Sequence, residues 1–309
     1  MKVAVVDLGT NTCRLLLGQV EEGVIVALAA RETTVVRLGQ GVDQRGRLAA
    51  EAVARTRRCL DGYAPRIAGY RPERTLLIAT SVLRDAADGV SFLDAVRSDH
   101  GLPWRVLSGE EEGRLAFLGA AAAFPGLTGK VAVMDIGGGS TEFAAGAAGG
   151  GRRPHFVVSL DVGAVRLTER FLSHDPPTDE EWAAAETHTR AVLESGVPPA
   201  ARIVTCLIGV AGTVTTLVAN KLGLRVYRSE LVAGQELRLS DIEAAIGAFR
   251  RLTSAQRGRL PGIQPGREDV ILAGALIAWE GCRLYGRDRV LCGESDILEG
   301  AALWLADAG

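Results

Sequence analysis

Val3-Ala4-Val5-Val6-Asp7-Leu8-Gly9-Thr10-Asn11-Thr12 at the head of the chain and Val131-Ala132-Val133-Met134-Asp135-Ile136-Gly137-Gly138-Gly139-Ser140-Thr141 near its middle are two versions of one pattern. In each, an apolar β-type run delivers a carboxylate to its end. Glycine and hydroxyl residues follow, then a second apolar-rich stretch, residues 15–20 and 143–148. The pattern reads as strand, tight turn, strand. Glycine lets the backbone approach a ligand closely, so that successive N–H groups converge on phosphate oxygens, and Ser/Thr hydroxyls add donors. A carboxylate beside such a turn, Asp7 or Asp135, suits a divalent cation. Two ordinary hairpins would use the same residue types, since Asp and Gly favour turns on conformational grounds alone. The repetition of the whole pattern favours a duplicated phosphate-binding unit.

The remaining sequence is consistent with two such units. A chain of 309 residues exceeds what one core usually holds. The Pro125-Gly126 pair marks a boundary, giving domains of 1–125 and 126–309, with the last helix free to pack back on the first domain. Apolar residues make up 47% and charged residues 23%, with a net charge of −2, which gives no global attraction for nucleic acid or an anionic membrane. Five scattered cysteines without a C-x-x-C pair argue against a disulfide framework or zinc ribbon and fit a reducing cytoplasm. Asp7 and Arg14 interrupt the first apolar run too early for a signal peptide. The uncharged run 203–220 approaches membrane-span length, but its glycines and threonines read instead as strand 203–208, a glycine turn from Gly209 to Thr213, and a helix, a third phosphate-loop candidate.

Between these landmarks, periodicity predicts strands at 24–30, 33–38, 75–79, 104–107, 156–160 and 290–292. Helices are predicted at 48–63, 92–97, 110–124, 165–172, 180–193, 240–252, 268–284 and 297–306. A Gly/Arg hairpin tip spans 149–154. Each half is an α/β sheet of mixed strand direction, with the glycine turns facing one another across an interdomain cleft.

Ser108 and Glu111 have capping-box spacing, and acidic residues in a first helical turn are favoured by the helix dipole. Glu112 is different: at helical spacing it lies above Leu115, Ala116 and Gly119 on the inward face, where a carboxylate requires a polar task. Base and structural cap are the two readings. Arg84, following Thr80-Ser81, is either a phosphate clamp or a solvated side chain. Arg57-Arg58, Arg152-Arg153, Arg250-Arg251 and Arg257 with Arg259 are either a polyanion path or solvated faces. The four histidines show no metal spacing.

In this order, Asp7-Leu8-Gly9-Thr10-Asn11-Thr12, Thr80-Ser81-Val82-Leu83-Arg84, Ser108-Gly109-Glu110-Glu111-Glu112-Gly113-Arg114, Asp135 to Glu142, Gly209-Val210-Ala211-Gly212-Thr213 and Arg267-Glu268-Asp269-Val270-Ile271 resemble the exopolyphosphatase / guanosine pentaphosphate phosphohydrolase (Ppx/GppA) family, within the acetate and sugar kinase / heat-shock-70 / actin superfamily. The resemblance spans essentially the whole chain. It implies two duplicated ribonuclease H-like (actin-like ATPase) domains. It implies Glu112 as catalytic base and Mg²⁺ on Asp135 and Glu142, with Asp7 beside them. It implies phosphate binding by Gly9, Thr10, Asn11, Thr12, Arg84, Gly137, Gly138, Gly139, Ser140, Thr141, Gly212 and Thr213. Long family members continue beyond the position of Gly309, so a short form preferring shorter polyphosphate is expected. The implied activity is exopolyphosphatase, with guanosine pentaphosphate (pppGpp) hydrolysis as the alternative. A small-molecule kinase and a non-catalytic sensor stand behind them. Inorganic polyphosphate or pppGpp is the expected partner, in the cytoplasm, with a homodimer open and neither nucleic acid nor membrane involved.

Overall fold

The computed structural model describes residues 1–149 and 153–307. The centre of the hairpin tip read at 149–154, with Arg152, lies outside the described residues.

Among the described residues, eleven strands build two sheets. In the first, β1 (Lys2–Leu8), β2 (Thr12–Glu21), β3 (Val24–Val35), β4 (Arg74–Ala79) and β5 (Trp104–Val106) lie in the order β3-β2-β1-β4-β5. In the second, β6 (Lys130–Ile136), β7 (Thr141–Ala147), β8 (Phe156–Leu160), β9 (Cys206–Val210), β10 (Glu236–Arg238) and β11 (Arg289–Cys292) lie in the order β10-β11-β9-β6-β7-β8. Both sheets begin with an antiparallel three-strand meander, and in both the first strand then gains a parallel neighbour on its other side. The repeat read in the sequence is therefore a repeat of topology. Ligands in such sheets bind beyond the carboxyl ends of the parallel strands, where both glycine turns sit. No described helix is long and apolar enough to cross a membrane.

Alternation along β1 shows how the halves join. Ala4, Val6 and Leu8 enter a core beneath the first sheet, closed by the helix Ala50–Tyr70. Val3 and Val5 face the opposite way, into a second core shared with Val131, Val133 and Ala144 of the other sheet. The helices Gly109–Ala123 and Ile297–Asp307 contribute Leu115, Phe117, Leu298 and Leu303 to that shared core. The last helix shares this core with β1 and β2 of the first sheet. A third core fills the far side of the second sheet.

The two central helices touch backbone to backbone. A Cβ on Gly300 would collide with the Leu115 carbonyl, and one on Gly119 with the Asp296 carbonyl. Asp296 accepts from Leu298 N at the start of the last helix, 3.0 Å, and its carboxylate also receives Arg14 from β2. Arg14 donates through Nε to Asp7 Oδ2 at 2.8 Å, so one buried guanidinium bridges Asp7 and Asp296. Arg31 from β3 binds Glu299 at 2.6 Å on the same helix. Burial opposes ionisation of Asp296, yet Arg14 and Arg31 together hold its carboxyl below the usual range.

Several boundaries differ from the sequence reading. The two strands predicted at 24–30 and 33–38 are one, Val24–Val35, paired along β2 with register shifts at Leu17/Gly18 and Gln19/Val20. The first long helix continues through Pro65 to Tyr70, because Ile67 extends the buried face of Leu60 and Tyr63. The glycine turn expected from Gly209 to Thr213 is absent: β9 ends at Val210 and the helix Ala211–Lys221 begins at once, with Ala211 at φ 64°. An abrupt left-handed residue does what the reading assigned to a turn.

Two substitutions separate packing from charge in this joint. Gly300→Val should force the helices apart at a cost of about 1–3 kcal/mol. Arg14→Met strips the buried Asp7 of its cation and leaves Asp296 with Arg31 alone at 3.9 Å, and should cost more, about 3–5 kcal/mol. Thermal unfolding of both variants checks the order; equal midpoints, or an unchanged one for Arg14→Met, would contradict it.

Candidate functional site

The carboxyl ends of β1, β4, β6 and β9 open into one cleft of about 930 Å³. Its lining includes Asp7, Gly9, Thr10, Asn11, Thr12, Glu112, Asp135, Gly137, Gly138, Gly139, Ser140, Glu142, Gly212 and Thr213, so most residues singled out in the sequence meet there.

Both hairpins have the same two-residue loop, closed by Gly9 N to Thr12 O at 2.9 Å and by Gly137 N to Ser140 O at 3.0 Å. In the second loop, Gly137 O accepts from Ala164 N at 2.9 Å and Gly138 O from Val165 N at 2.8 Å, both at the start of the helix Ala164–Phe171. Gly139 O accepts from Arg166 Nε at 2.7 Å. In a trans peptide the N–H points opposite to the C=O. Three carbonyls tied back on one side therefore turn the amides of Gly138, Gly139 and Ser140 to the other, toward the cleft. None of these three amides donates to another group among the described residues. In the first loop, Thr10 O accepts from Gly39 N at 2.8 Å, and Asn11 O from Val36 N at 3.0 Å and Arg37 N at 2.9 Å, which turns the amides of Asn11 and Thr12 the other way. The loops interlock: a Cβ on Gly139 would fall 2.8 Å from Thr10 Oγ1 and 2.5 Å from Ser81 Oγ. Unsatisfied amides converging on a cleft form an anion site.

The carboxylates differ between the two copies. Opposite residues of an antiparallel pair share a sheet face. Asp7 faces Arg14 in the first hairpin, and Asp135 faces Glu142 in the second. Asp7 Oδ2 is thus engaged by a cation, leaving Oδ1 buried without a partner. Asp135 has no ion-pair partner among the described residues, and Glu142 accepts from Ser159 Oγ at 2.6 Å. Burial raises the Asp135 carboxyl well above its usual range, with Asp296 and Glu142 adding to the effect and Arg14 opposing it. Burial likewise raises Glu142, against the hydroxyls of Ser159 and Ser140. Two adjacent carboxylates facing a cleft without their own counter-ion suit a hard cation such as Mg²⁺. Such an ion needs only one or two protein carboxylates, with phosphates and water completing its shell. No group of three or more His, Cys, Asp or Glu among the described residues is arranged to hold a metal ion.

Glu112 lies on the inward face of its helix, 5% exposed. The capping box is formed by Ser108 and Glu111, with Ser108 N donating to Glu111 Oε2 at 2.8 Å. The cap is thus Glu111's task, and Glu112 has another. Its Oε1 receives Arg84 NH1, whose other acceptor is Leu107 O at 2.7 Å. Burial pushes the Glu112 carboxyl well above its usual range; Glu142 pushes the same way and Arg84 opposes both.

Some expectations change. The Thr141 side chain is fully buried, outside the cleft lining, and its hydroxyl donates to Val162 O at 2.5 Å, because strand alternation turns it away from Ser140 and Glu142. Arg84 stands behind Glu112 and is not part of the lining. The described arginines read as a polyanion path are also elsewhere: Arg57 pairs with Asp99, Arg250 with Asp179, and Arg257 is buried against the carbonyls of Glu268 and Leu252.

The structure adds residues not singled out as site residues: Arg14, Ser81, Tyr227, Asp296 and Arg267 line the cleft. Arg267 lies against Gly212, where a side chain would strike its guanidinium, and bonds Gln264 Oε1 at 3.2 Å with no carboxylate partner among the described residues. Burial, with Arg14 nearby, lowers it to about 10. Its only signal in the sequence is its place in the Arg267-Glu268-Asp269 segment.

Comparisons with known proteins agree with this geometry. Exopolyphosphatase 2 of Mycobacterium tuberculosis is 38% identical over 326 aligned positions, covering 99% of this chain and 98% of its own. The crystal structure of an exopolyphosphatase-like protein superposes with a TM-score of 0.94 at 32% identity, covering 100% of this chain and 97% of that one. The Aquifex aeolicus member of the Ppx/GppA family superposes with a TM-score of 0.83 at 30% identity, over 100% and 98% of the two chains. The family model described as the Ppx/GppA phosphatase family matches residues 18–292. With its duplicated actin-like sheets and shared cleft, the chain belongs to the Ppx/GppA phosphatase family.

Proposed function

We propose that this phosphatase is an exopolyphosphatase, removing the terminal phosphate of inorganic polyphosphate as orthophosphate with the help of Mg²⁺. The observation that carries the reading is the convergence, in one cleft, of the buried Glu112 carboxylate with two loops whose amides face inward. The printed names of the M. tuberculosis relative and the exopolyphosphatase-like structure support it. Membership of a phosphatase family sets the kinase and sensor readings aside.

Phosphoryl transfer is mainly a matter of positioning and of charge stabilisation. The amides of Gly138, Gly139 and Ser140, the hydroxyls of Thr10, Thr12 and Ser140, and the start of the helix at Gly212 and Thr213 hold the non-bridging oxygens. Arg267 adds a cation at that same helix start. Glu112, as carboxylate, accepts a proton from water; the water oxygen attacks the terminal phosphorus, and the bond to the bridging oxygen breaks, leaving the shortened chain. Arg84 favours the ionised form of Glu112 and fixes its direction. Mg²⁺ would be held by Asp135 and Glu142, with Asp7 Oδ1 beside them. When bound, it would offset charge on the phosphoryl oxygens. A preference for shorter polyphosphate chains belongs to the same proposal, and the Tyr227 and Arg267 side chains in the cleft lining make pppGpp the second substrate to test.

Orthophosphate release from short polyphosphate, long polyphosphate and pppGpp, with Mg²⁺ and with chelator, tests the reading. Glu112→Gln should lower kcat by about 10²- to 10⁴-fold at an unchanged unfolding midpoint; a near-full rate would remove Glu112 from the mechanism. The pH profile gives an independent check. A base works deprotonated, so the rate falls as pH drops through its pKa, and this acid limb should lie above the ordinary glutamate value of 4.5. Arg84→Gln removes the cation that lowers this pKa, so the limb should move to higher pH. A limb that stays or moves down contradicts the assignment.

A further inference from the structure

Of the three carbonyls that orient the second loop, two are held by backbone amides of the Ala164–Phe171 helix and the third by a side chain alone. The peptide between Gly139 and Ser140 is fixed through Arg166 Nε, at 2.7 Å from Gly139 O. The other two nitrogens of the same guanidinium reach across to the first half of the chain. NH1 donates to Asp43 Oδ1 at 2.7 Å, and NH2 to Asp85 Oδ2. Asp43 is itself held by Arg170, at 2.5 Å and 2.6 Å. Asp85 ends the short helix Ser81–Asp85, whose Ser81 Oγ lies 3.2 Å from Thr10 Oγ1 in the first loop. The Arg166 side chain is 13% exposed, so the guanidinium itself is largely enclosed, while its Asp85 partner is 40% exposed at the edge of the junction.

We propose that Arg166 is a positioning residue for phosphate capture: by holding Gly139 O, Asp43 and Asp85 at once, it aims the Ser140 amide into the cleft and sets the separation of the two loops. The proposal rests on the reading of those loops as phosphate ligands. A planar guanidinium with five donors can serve three divergent acceptors. A lysine ammonium in its place would carry the charge to one of them. Arg166 touches no substrate atom in this scheme and acts only through the loop. Its loss lets the Gly139–Ser140 peptide rotate, which withdraws one donor from the phosphate and loosens the spacing of the rest.

The test measures kcat and KM for tripolyphosphate, and the inhibition constant of orthophosphate, in Arg166→Gln, Arg166→Lys and Thr10→Val. Misplacement of binding groups by about an ångström costs up to about 100-fold, so Arg166→Gln should raise both KM and the phosphate inhibition constant about 10- to 100-fold. Arg166→Lys should restore part of the loss. A merely structural arginine would lower the active fraction, and with it kcat, at unchanged KM and inhibition constant; that result overturns the proposal. If Arg166→Gln does not fold, the Asp43→Asn/Asp85→Asn double variant frees the guanidinium from the first sheet, and unchanged constants there overturn it equally. Thr10→Val separates the two levels of the argument. If it weakens phosphate binding while Arg166→Gln does not, the loops bind phosphate and Arg166 has no part in it. If neither does, both readings fall.

Discussion

The cleft is organised by the cost of burying carboxylates beside one another. Asp7, Glu112, Asp135, Glu142 and Asp296 are all nearly inaccessible and converge on one space. Taking a carboxylate out of water costs several kcal/mol unless a counter-charge accompanies it. Arg14 supplies that charge to Asp7 and Asp296, and Arg84 supplies it to Glu112. The Asp135–Glu142 pair has no ion-pair partner among the described residues, so burial keeps both carboxyls raised, with Asp296 and Glu142 adding to the effect at Asp135. The two hairpins are equivalent in topology, and a single pairing position, Arg14 in one and Glu142 in the other, makes the first copy a structural tie and leaves the second with two adjacent carboxylates.

The same tie explains why the site lies where it does. Asp296 begins the last helix and Asp7 ends β1, so the bridge through Arg14 joins the floor of the cleft to the helix pair packed between the sheets. Behind that bridge the two sheets share a continuous apolar core, with Val3 and Val5 facing Val131 and Val133 through the helices. A dry, tightly packed joint of this kind resists shear. At the open side, polar ties span from one half to the other instead, Arg166 with Asp43 and Asp85, and Arg37 with Asp269.

What could be read from the sequence was whatever depends on local pattern. The two hairpins were legible because a carboxylate, a two-residue loop and alternating strands all lie within a dozen neighbouring positions. Glu112 was legible because a charge on an apolar helical face contradicts its surroundings. Arg14 was not, since an arginine in a strand usually ends in water, and its partner Asp296 lies 282 positions away. Arg267 was part of a recognised segment, but only the fold shows its guanidinium against the start of the helix at Gly212. Thr141 marks the opposite failure: the resemblance implied it as a phosphate ligand beside Ser140, whereas strand alternation places its hydroxyl on the far face, against Val162 O.

The distribution of charge also constrains how a polyanion can be held here. The chain carries a net charge of −2, and Arg14, Arg31, Arg37, Arg84 and Arg166 are each engaged by a carboxylate. Long-range attraction for phosphate is correspondingly small, so under the proposed function affinity would come from short-range donors: loop amides, hydroxyls and Arg267. Amide dipoles fixed by their own carbonyls need little reorganisation as charge shifts in the transition state, which makes them effective per donor. They also carry no net charge. Under the proposed function, phosphates arriving beside Asp135 and Glu142 would be accepted best with a cation, so that metal and substrate would answer one electrostatic requirement. Arg84 already sits against Glu112, which would leave that carboxylate free of the binding task and available for the proton.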